Sequence, residues 1–395
     1  MADYIVIGLG NSTEFRLQED ILSCLSSHTI FSGGKRHYAL VKDKLPPIHQ
    51  WIDIKGDMEG LFKEFQSIDQ TIVVFASGDP LFYGFASTIQ KFDPKATLKV
   101  YPWFNSIQLL CHKTHTPYHQ VTSVSVHGRS WDELDTALLY GFPQIGVLTD
   151  AQKAPASIAQ RMLDYRFDNY TMILGEALES TNEQIRTLTL EDAIHTTAHP
   201  LNCILLKQTK PKPKSFGIPD SSFAYLDNRP NMITKMPVRM VSLSQLDLSI
   251  RHSLWDIGFC TGSVAIEARC RFPHLQITAF EKRPECDQLF EVNTRTHSTP
   301  GIAKVMGDFL EIDLSILQQP DAVFIGGHGN RLEELILKVD TCLQPKGRLV
   351  MNVVQQASKT SFIQSIQKLK YVLLPEMTIQ VDEHNPITIL AAEKP

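Results

Sequence analysis

Trp255 to Arg269, WDIGFCTGSVAIEAR, holds the residue types from which a cofactor cradle can be built. Ser253 to Ile257 is a short apolar run carrying Asp256, Gly258 and Gly262 flank a tight turn, and Val264, Ile266 and Ala268 follow among helix formers. A strand that delivers a glycine turn into the start of a helix lets backbone approach a ligand closely. The free N–H groups there favour polar or anionic groups. Asp256, near the carboxyl end of the strand, is expected to face the crevice where open α/β sheets bind ligands. Two later acids narrow the choice of cofactor. The apolar run Gln276–Phe280 ends in Glu281, 23 residues after Gly258, about the spacing at which a carboxylate grips a ribose diol. A third run, Ala303–Met306, leads into Gly307-Asp308, where a carboxylate can accept from an adenine amino group. A dinucleotide site would carry GxGxxG, which this turn lacks. An incidental βα turn with unrelated acids is the plain alternative, and the combined spacing favours an S-adenosylmethionine site built from Asp256, Gly258, Gly262, Glu281 and Asp308.

The elements that must position these residues alternate as in an α/β protein. Tyr4–Ile7 reads as a strand, Gly8-Leu9-Gly10 as a turn and Gln18–Ser26 as a helix, then His28–Phe31 as a strand running into a loop at Ser32–His37. Thr71–Ala76 is a continuous β-rich run typical of a parallel strand buried on both faces. It empties into Ser77-Gly78-Asp79-Pro80, and a helix follows to about Lys91. The pattern restarts near Thr116, with strands expected at Val121–Val126, Gln144–Leu148, Tyr170–Leu174, Glu183–Thr189 and Asn202–Leu206. Residues 211–230, rich in Pro and Lys with few core candidates, read as a linker. The expected organisation is therefore a domain at 1–210 (subdomains about 1–115 and 116–210), the linker, and a cofactor domain at 231–395 that ends in an antiparallel hairpin of Val372–Val381 and Ile387–Ala392.

With 395 residues, 43% hydrophobic and 21% charged, the chain should form two or three ordinary globular domains. A net charge of −5 gives no electrostatic footprint for nucleic acid. No stretch approaches the apolar length of a membrane span, and the opening residues lack the basic flank of a signal peptide. Seven scattered cysteines without a CxxC suggest reduced thiols in the cytoplasm and no metal site. A homo-oligomer without nucleic-acid or membrane partners is expected.

The two halves resemble two methyltransferase families that occur fused in corrin-ring synthesis. The first half resembles the tetrapyrrole methylases through IVIGLG (Ile5–Gly10), SGGKRHYAL (Ser32–Leu40), ASGDPLFYG (Ala76–Gly84), SVHGR (Ser125–Arg129), VLTD (Val147–Asp150) and PLNCILL (Pro200–Leu206). ASGDPLFYG together with GGKRH marks the branch that methylates carbon 5. The second half is similar to the class I methyltransferase partner through MITK (Met232–Lys235), WDIGFCTGSVAIEA and PDAVFIGGHG (Pro320–Gly329). The resemblance implies a two-subdomain tetrapyrrole-methylase fold followed by a Rossmann-like class I fold. It implies two S-adenosylmethionine sites, the first at Gly8, Gly10, Gly78 and Asp79. It also implies methylation of a polycarboxylate tetrapyrrole at carbons 5 and 15 with loss of the ring-C acetate carboxyl. Action on another or a cobalt-loaded tetrapyrrole, or at one position only, is the alternative. The first turn of the second half departs from its family by carrying Phe259 and Cys260; Cys260 costs backbone freedom close to the cofactor.

Methyl transfer from a sulfonium asks the protein for approach geometry and exclusion of water, not for a nucleophile, and the sequence has no Ser/His/Asp or Cys/His signature. A polycarboxylate substrate asks for cations, and Lys35, Arg36, Arg129, Lys235 and Arg239 lie in or beside the family motifs. Each could equally be a solvated surface charge. His37, His127 and His328 fall in exit loops and could move protons, although a structural role is the more common one for such histidines. Asp79 should shape the first pocket, or simply close the turn before Pro80.

Overall fold

The unbroken apolar run at Ile72–Ala76 suits a strand covered on both faces, and it lies at the centre of the first sheet. The computed structural model describes residues 3–12, 17–213, 216–227, 229, 231–382 and 385–395. In it β1 (Asp3–Leu9), β2 (Ile30–Gly33), β3 (Gln50–Asp53), β4 (Ile72–Ser77) and β5 (Thr97–Tyr101) run parallel in the order β3-β2-β4-β1-β5. Leu9 lies opposite Ser77, so the turns after β1 and β4 leave the same edge. After β2, where a loop was expected, Lys35–Val41 is a helix that starts from an extended Gly34. A second sheet follows, of β6 (Thr122–Ser125), β7 (Gln144–Leu148), β8 (Tyr170–Glu176), β9 (Gln184–Leu188) and β10 (Asn202–Gln208), in the order β6-β7-β10-β8-β9. Only its β6–β7 pair is parallel.

Chain contacts divide the molecule into two units. The first is Met1–Ser130, Phe142–Gln160 and Tyr170–Thr209; the second is Trp131–Gly141, Arg161–Asn169 and Lys210–Pro395. The helix Asp132–Tyr140, which the sequence reading put in the first half, groups with the second unit for a physical reason. Its Asp135 is fully buried and gripped by the Arg161 fork at 2.8 and 2.6 Å, and Thr136 donates to the Pro273 carbonyl at 3.1 Å.

The second unit is built on one mixed sheet. Here β11 (Ser253–Ile257), β12 (Gln276–Glu281), β13 (Ile302–Met306), β14 (Ala322–Ile325) and β15 (Arg348–Val353) are parallel, and β18 (Ile387–Glu393) joins β15 antiparallel. The path is β13-β12-β11-β14-β15-β18, with a further short strand beyond β18. The expected strand Val372–Val381 is instead two short pieces, β16 (Val372–Leu373) and β17 (Met377–Ile379), both paired with β18. Pro375 between them has no N–H to give a ladder. Together the three sheets make an α/β protein with a two-sheet first unit and a Rossmann-like second one. Among the described residues no helix is long and apolar enough to cross a membrane.

The stretch expected as a linker corrects one expectation. Of residues 211–230, Lys214, Ser215, Asn228 and Pro230 lie outside the described residues, but Ile218 and Phe223 are buried against Ile233 and Ile266 in the second unit. They are pinned by Arg239, which also corrects the expectation that this residue binds substrate. Arg239 has no exposed surface. Its guanidinium donates to Glu267 at 3.3 Å, to Asp220 at 3.2 Å, to the Thr234 carbonyl at 2.7 Å and to the Ile218 carbonyl. The Phe223 ring covers it at 5.2 Å, and the Ile218 N–H closes the loop by donating to Glu267 at 2.8 Å. A fully buried cation with four of its five N–H groups engaged by the fold is a clamp, and it presents no surface to a ligand. Arg239→Ala should therefore leave the buried Glu267 carboxylate with only Arg271, at 3.5 Å, as a cation and lower the unfolding free energy by about 3 kcal/mol. Urea denaturation reads this directly; a midpoint equal to that of the unmodified chain would refute the clamp.

Candidate functional site

At the end of β11 the chain must turn sharply under a facing backbone. Gly258 has φ +81°, and a Cβ there would lie 2.8 Å from the Gly327 nitrogen; at Gly262, φ +75°, it would meet the Phe290 ring at 2.6 Å. Between them Cys260 adopts φ +47°, which costs a side-chain-bearing residue roughly 1–2 kcal/mol. It is held there from both sides: its N–H donates to Glu281 at 3.0 Å and its thiol to the Met232 carbonyl at 3.2 Å. The cost expected for a cysteine in this turn is thus met by local bonds.

Glu281, at the end of β12, is buried. One carboxylate oxygen accepts from the N–H groups of Lys282 and Arg283 and from Arg283 Nε, at 2.9, 3.1 and 3.0 Å. The other accepts from Cys260 and from Arg283 Nη2 at 2.7 Å. Burial alone would raise this carboxyl, but the Arg283 fork and the backbone donors outweigh it and hold it below its usual range. The Arg283 partnership was not anticipated, although a cation two residues after the acid was there to be seen.

Gly258, Glu281 and Asp308 line one cavity of about 330 Å³, together with Met232, Gly327 and His328. Asp308 already accepts from the Leu310 N–H at 3.0 Å and has Arg331 at 3.9 Å. His328 places Nε2 3.4 Å from Ser358 Oγ, and burial lowers its pKa. Lys235 is half-buried and leads into the helix Met236–Gln245. Asp256 and Gly262 are buried beside the turn and do not line the cavity. Asp256 Oδ2 accepts from the Ala265 N–H at 3.1 Å, and Oδ1 has no hydrogen-bond partner among the described residues.

The first unit gathers its glycines in the same manner. A Cβ on Gly8 would lie 2.2 Å from the Gly78 carbonyl oxygen and 2.7 Å from the Trp103 nitrogen, and one on Gly10 would meet Glu179 and Trp103 at 2.5 and 2.6 Å. Gly78 has φ +63° and donates to the Leu9 carbonyl at 2.8 Å. Trp103 and Glu179 were missed in the sequence because they approach Gly10 from distant segments. Asp79 accepts from the Leu81 N–H at 2.9 Å, closing the turn before Pro80. His127 lies 2.8 Å from the Thr149 carbonyl through Nδ1, a structural bond. Arg129 stacks over the Tyr83 ring at 5.1 Å, Lys35 is exposed, and Arg36 and His37 both reach Ser77. Among the described residues no group of three or more His, Cys, Asp or Glu side chains could hold a metal ion.

The Asp256 carboxyl is pushed up to about 7 by burial, with the Glu281 charge adding to the shift and the Ala265 N–H opposing it. Unfolded, it releases its proton near 3.8. Between these values the unfolded chain has shed the proton that the folded chain keeps, so Asp256 makes stability fall as pH rises from about 4 to about 7 and stay level above. Asp256→Asn should flatten this part of the pH–stability curve in urea melts. An equally steep fall in the variant would place its origin in other groups.

Residues 227–392 match the family described as the precorrin methyltransferase domain. Along most of its length the chain is similar to a precorrin-6Y C(5,15)-methyltransferase [decarboxylating] of Sinorhizobium sp, with 29% identity covering 88% of this chain and 84% of that one. It is also similar to two shorter proteins of Salmonella typhimurium. A cobalt-precorrin-6B C(15)-methyltransferase (decarboxylating) is 32% identical over 44% of this chain and 95% of its own. A cobalt-precorrin-7 C(5)-methyltransferase is 26% identical over 46% of this chain and 89% of its own. With 32% identity to a relative that is covered over 95% of its length, the chain belongs to the precorrin methyltransferase family.

Proposed function

We propose that this chain is a bifunctional S-adenosylmethionine-dependent methyltransferase and decarboxylase of corrin-ring synthesis. It methylates carbons 5 and 15 of a precorrin and releases the ring-C acetate carboxyl as carbon dioxide. The relatives support the pairing: one carries both positions in its name along most of this chain, and two shorter ones carry one position each. The observation that carries the reading is the meeting of Gly258, Glu281 and Asp308 on one cavity wall. We place a second cofactor site at Gly8, Gly10, Gly78 and Asp79 of the first unit, where each glycine is packed too closely for a Cβ or has a positive φ.

Bound S-adenosylmethionine supplies an electrophilic methyl group. The chain's own residues then hold and shield. Glu281 takes the ribose hydroxyls once the Arg283 fork gives up some of its bonds, since five donors already fill the carboxylate. Asp308 accepts from the adenine amino group. Phe280, Phe309 and Leu335 give the cavity apolar walls, which keep water from the reacting centre. Lys35, Arg129 and Lys235 meet substrate carboxylates, and Arg36 meets a ligand carboxylate. For decarboxylation, the acetate is held where its charge is poorly solvated, and the C–C electron pair passes into the conjugated ring as carbon dioxide leaves. Seven dispersed cysteines, most of them buried, suit a reducing cytoplasm, and we place the chain there as a homo-oligomer acting on a tetrapyrrole, with no nucleic-acid or membrane partner.

The full chain with precorrin and methyl donor should give a product with two methyls gained and one carboxyl lost. Mass spectrometry reads this, and parallel runs with metal-free and cobalt-loaded precorrin decide which form is the substrate. Glu281→Ala should weaken one of two calorimetric cofactor sites by about 1.5–3 kcal/mol and leave a product with one methyl gained and the carboxyl retained. Unchanged affinity at both sites would remove Glu281 from the ribose.

A further inference from the structure

Ser77 ends β4, and Arg36 and His37 follow its sheet neighbour β2, so three polar side chains meet at the carboxyl edge of the first sheet. Their hydrogen bonds have a fixed direction. The Gly34 N–H donates to His37 Nδ1 at 3.2 Å, which makes Nδ1 the acceptor and places the ring hydrogen on Nε2. His37 Nε2 therefore donates to Ser77 Oγ, at 2.9 Å, and Arg36 Nη2 donates to the same oxygen at 3.3 Å. Both lone pairs of Ser77 are then taken. Its own O–H must donate outward, and no described group accepts it.

Arg36 is the second unusual member. It is half-buried, and no carboxylate among the described residues pairs with it. By contrast Arg161, Arg186, Arg239, Arg283, Arg331 and Arg348 each lie on an acid. A partly desolvated guanidinium without a counter-charge, beside a hydroxyl with an unused hydrogen, is an array of donors facing outward. A planar anion with two oxygens satisfies it, one oxygen on Ser77 and the other on the remaining Arg36 N–H groups. Ser77 immediately precedes Gly78, so that anion lies next to the glycine turns of the first unit.

We infer that Arg36 and Ser77, with His37 as a positioning residue, form a site for a ligand carboxylate. This rests on the reading that the first unit binds a polycarboxylate tetrapyrrole and a methyl donor; the carboxylate belongs to a ring side chain or to the amino-acid end of the donor. His37 acts through Ser77, by fixing which way its hydroxyl points.

The test uses the full chain, uroporphyrin as a polycarboxylate probe, its carboxyl-esterified form as control, and S-adenosylmethionine separately. Ser77→Ala and Arg36→Gln should each raise the Kd for uroporphyrin by about tenfold or more, without altering that for the ester, if the carboxylate is the ring's. If it is the donor's, the same variants weaken one of two S-adenosylmethionine sites and leave uroporphyrin untouched. Arg36→Lys keeps the charge without the fork and should restore part of the loss, and His37→Gln, which can still donate to Ser77, should do better than His37→Ala. Unmodified protein that binds neither probe would refute the underlying reading and not this site. Variants that bind both probes as the unmodified chain does, or that lose the ester equally, would overturn the carboxylate site.

Discussion

Five hydrogen bonds converge on the Glu281 carboxylate, and the second unit's cradle is organised by them. A buried carboxylate costs several kcal/mol unless its oxygens are fully engaged. Here the engagement comes from the residues that must be positioned. The Cys260 N–H fixes the turn after β11, and Arg283 fixes the chain as it leaves β12. One side chain thereby ties together two neighbouring βα connections. The left-handed Cys260 is tolerable because this acid receives its N–H. Asp256, one strand away, feels the same charge and keeps its proton more tightly for it.

The first unit reaches a similar end with different parts. Its glycine turns pass under Trp103, and Glu179 accepts from the Trp103 indole at 3.3 Å and from the Asn11 N–H at 3.4 Å. In both units, then, a carboxylate receives a backbone N–H from a glycine turn, from within it at Cys260 and just past it at Asn11. The turns leave parallel strands, where carboxyl ends gather and a crevice can open. Elsewhere in the second unit, two buried charge groups serve as anchors. The Arg239–Glu267–Asp220 group fastens the segment before the first strand, and Arg161–Asp135 fastens the helix Asp132–Tyr140.

Local pattern made much of this legible. The strands at Gln144–Leu148 and Ser253–Ile257 stand where apolar runs and turn residues put them, and the spacing from Gly258 led to Glu281 on the same cavity wall. What escaped was long-range. Nothing near Gly10 in sequence announces Glu179. Arg239 looked available to substrate because the acids that hold it lie 19 and 28 residues away. Ile218 and Phe223, set among prolines and lysines, form too short an apolar signal to reveal a core. The helix Lys35–Val41 was hidden because Ser32-Gly33-Gly34 reads as loop, and the glycine before Lys35 is the helix boundary.

The place of β18 has a consequence for how the chain is made. It lies between β15 and β16 in the sheet although it is the last of the three in the chain, and β17 also leans on it. During synthesis β15 emerges with one edge unpaired, and β16 and β17 emerge with no neighbour to pair with. Val372, Leu373 and Met377, exposed even in the finished sheet, travel through that interval beside the open edge. An open strand edge next to apolar side chains invites pairing with another chain. The nascent second unit is therefore most vulnerable to aggregation between the emergence of β15 and that of β18, a window in which a ribosome-associated chaperone would have most to protect.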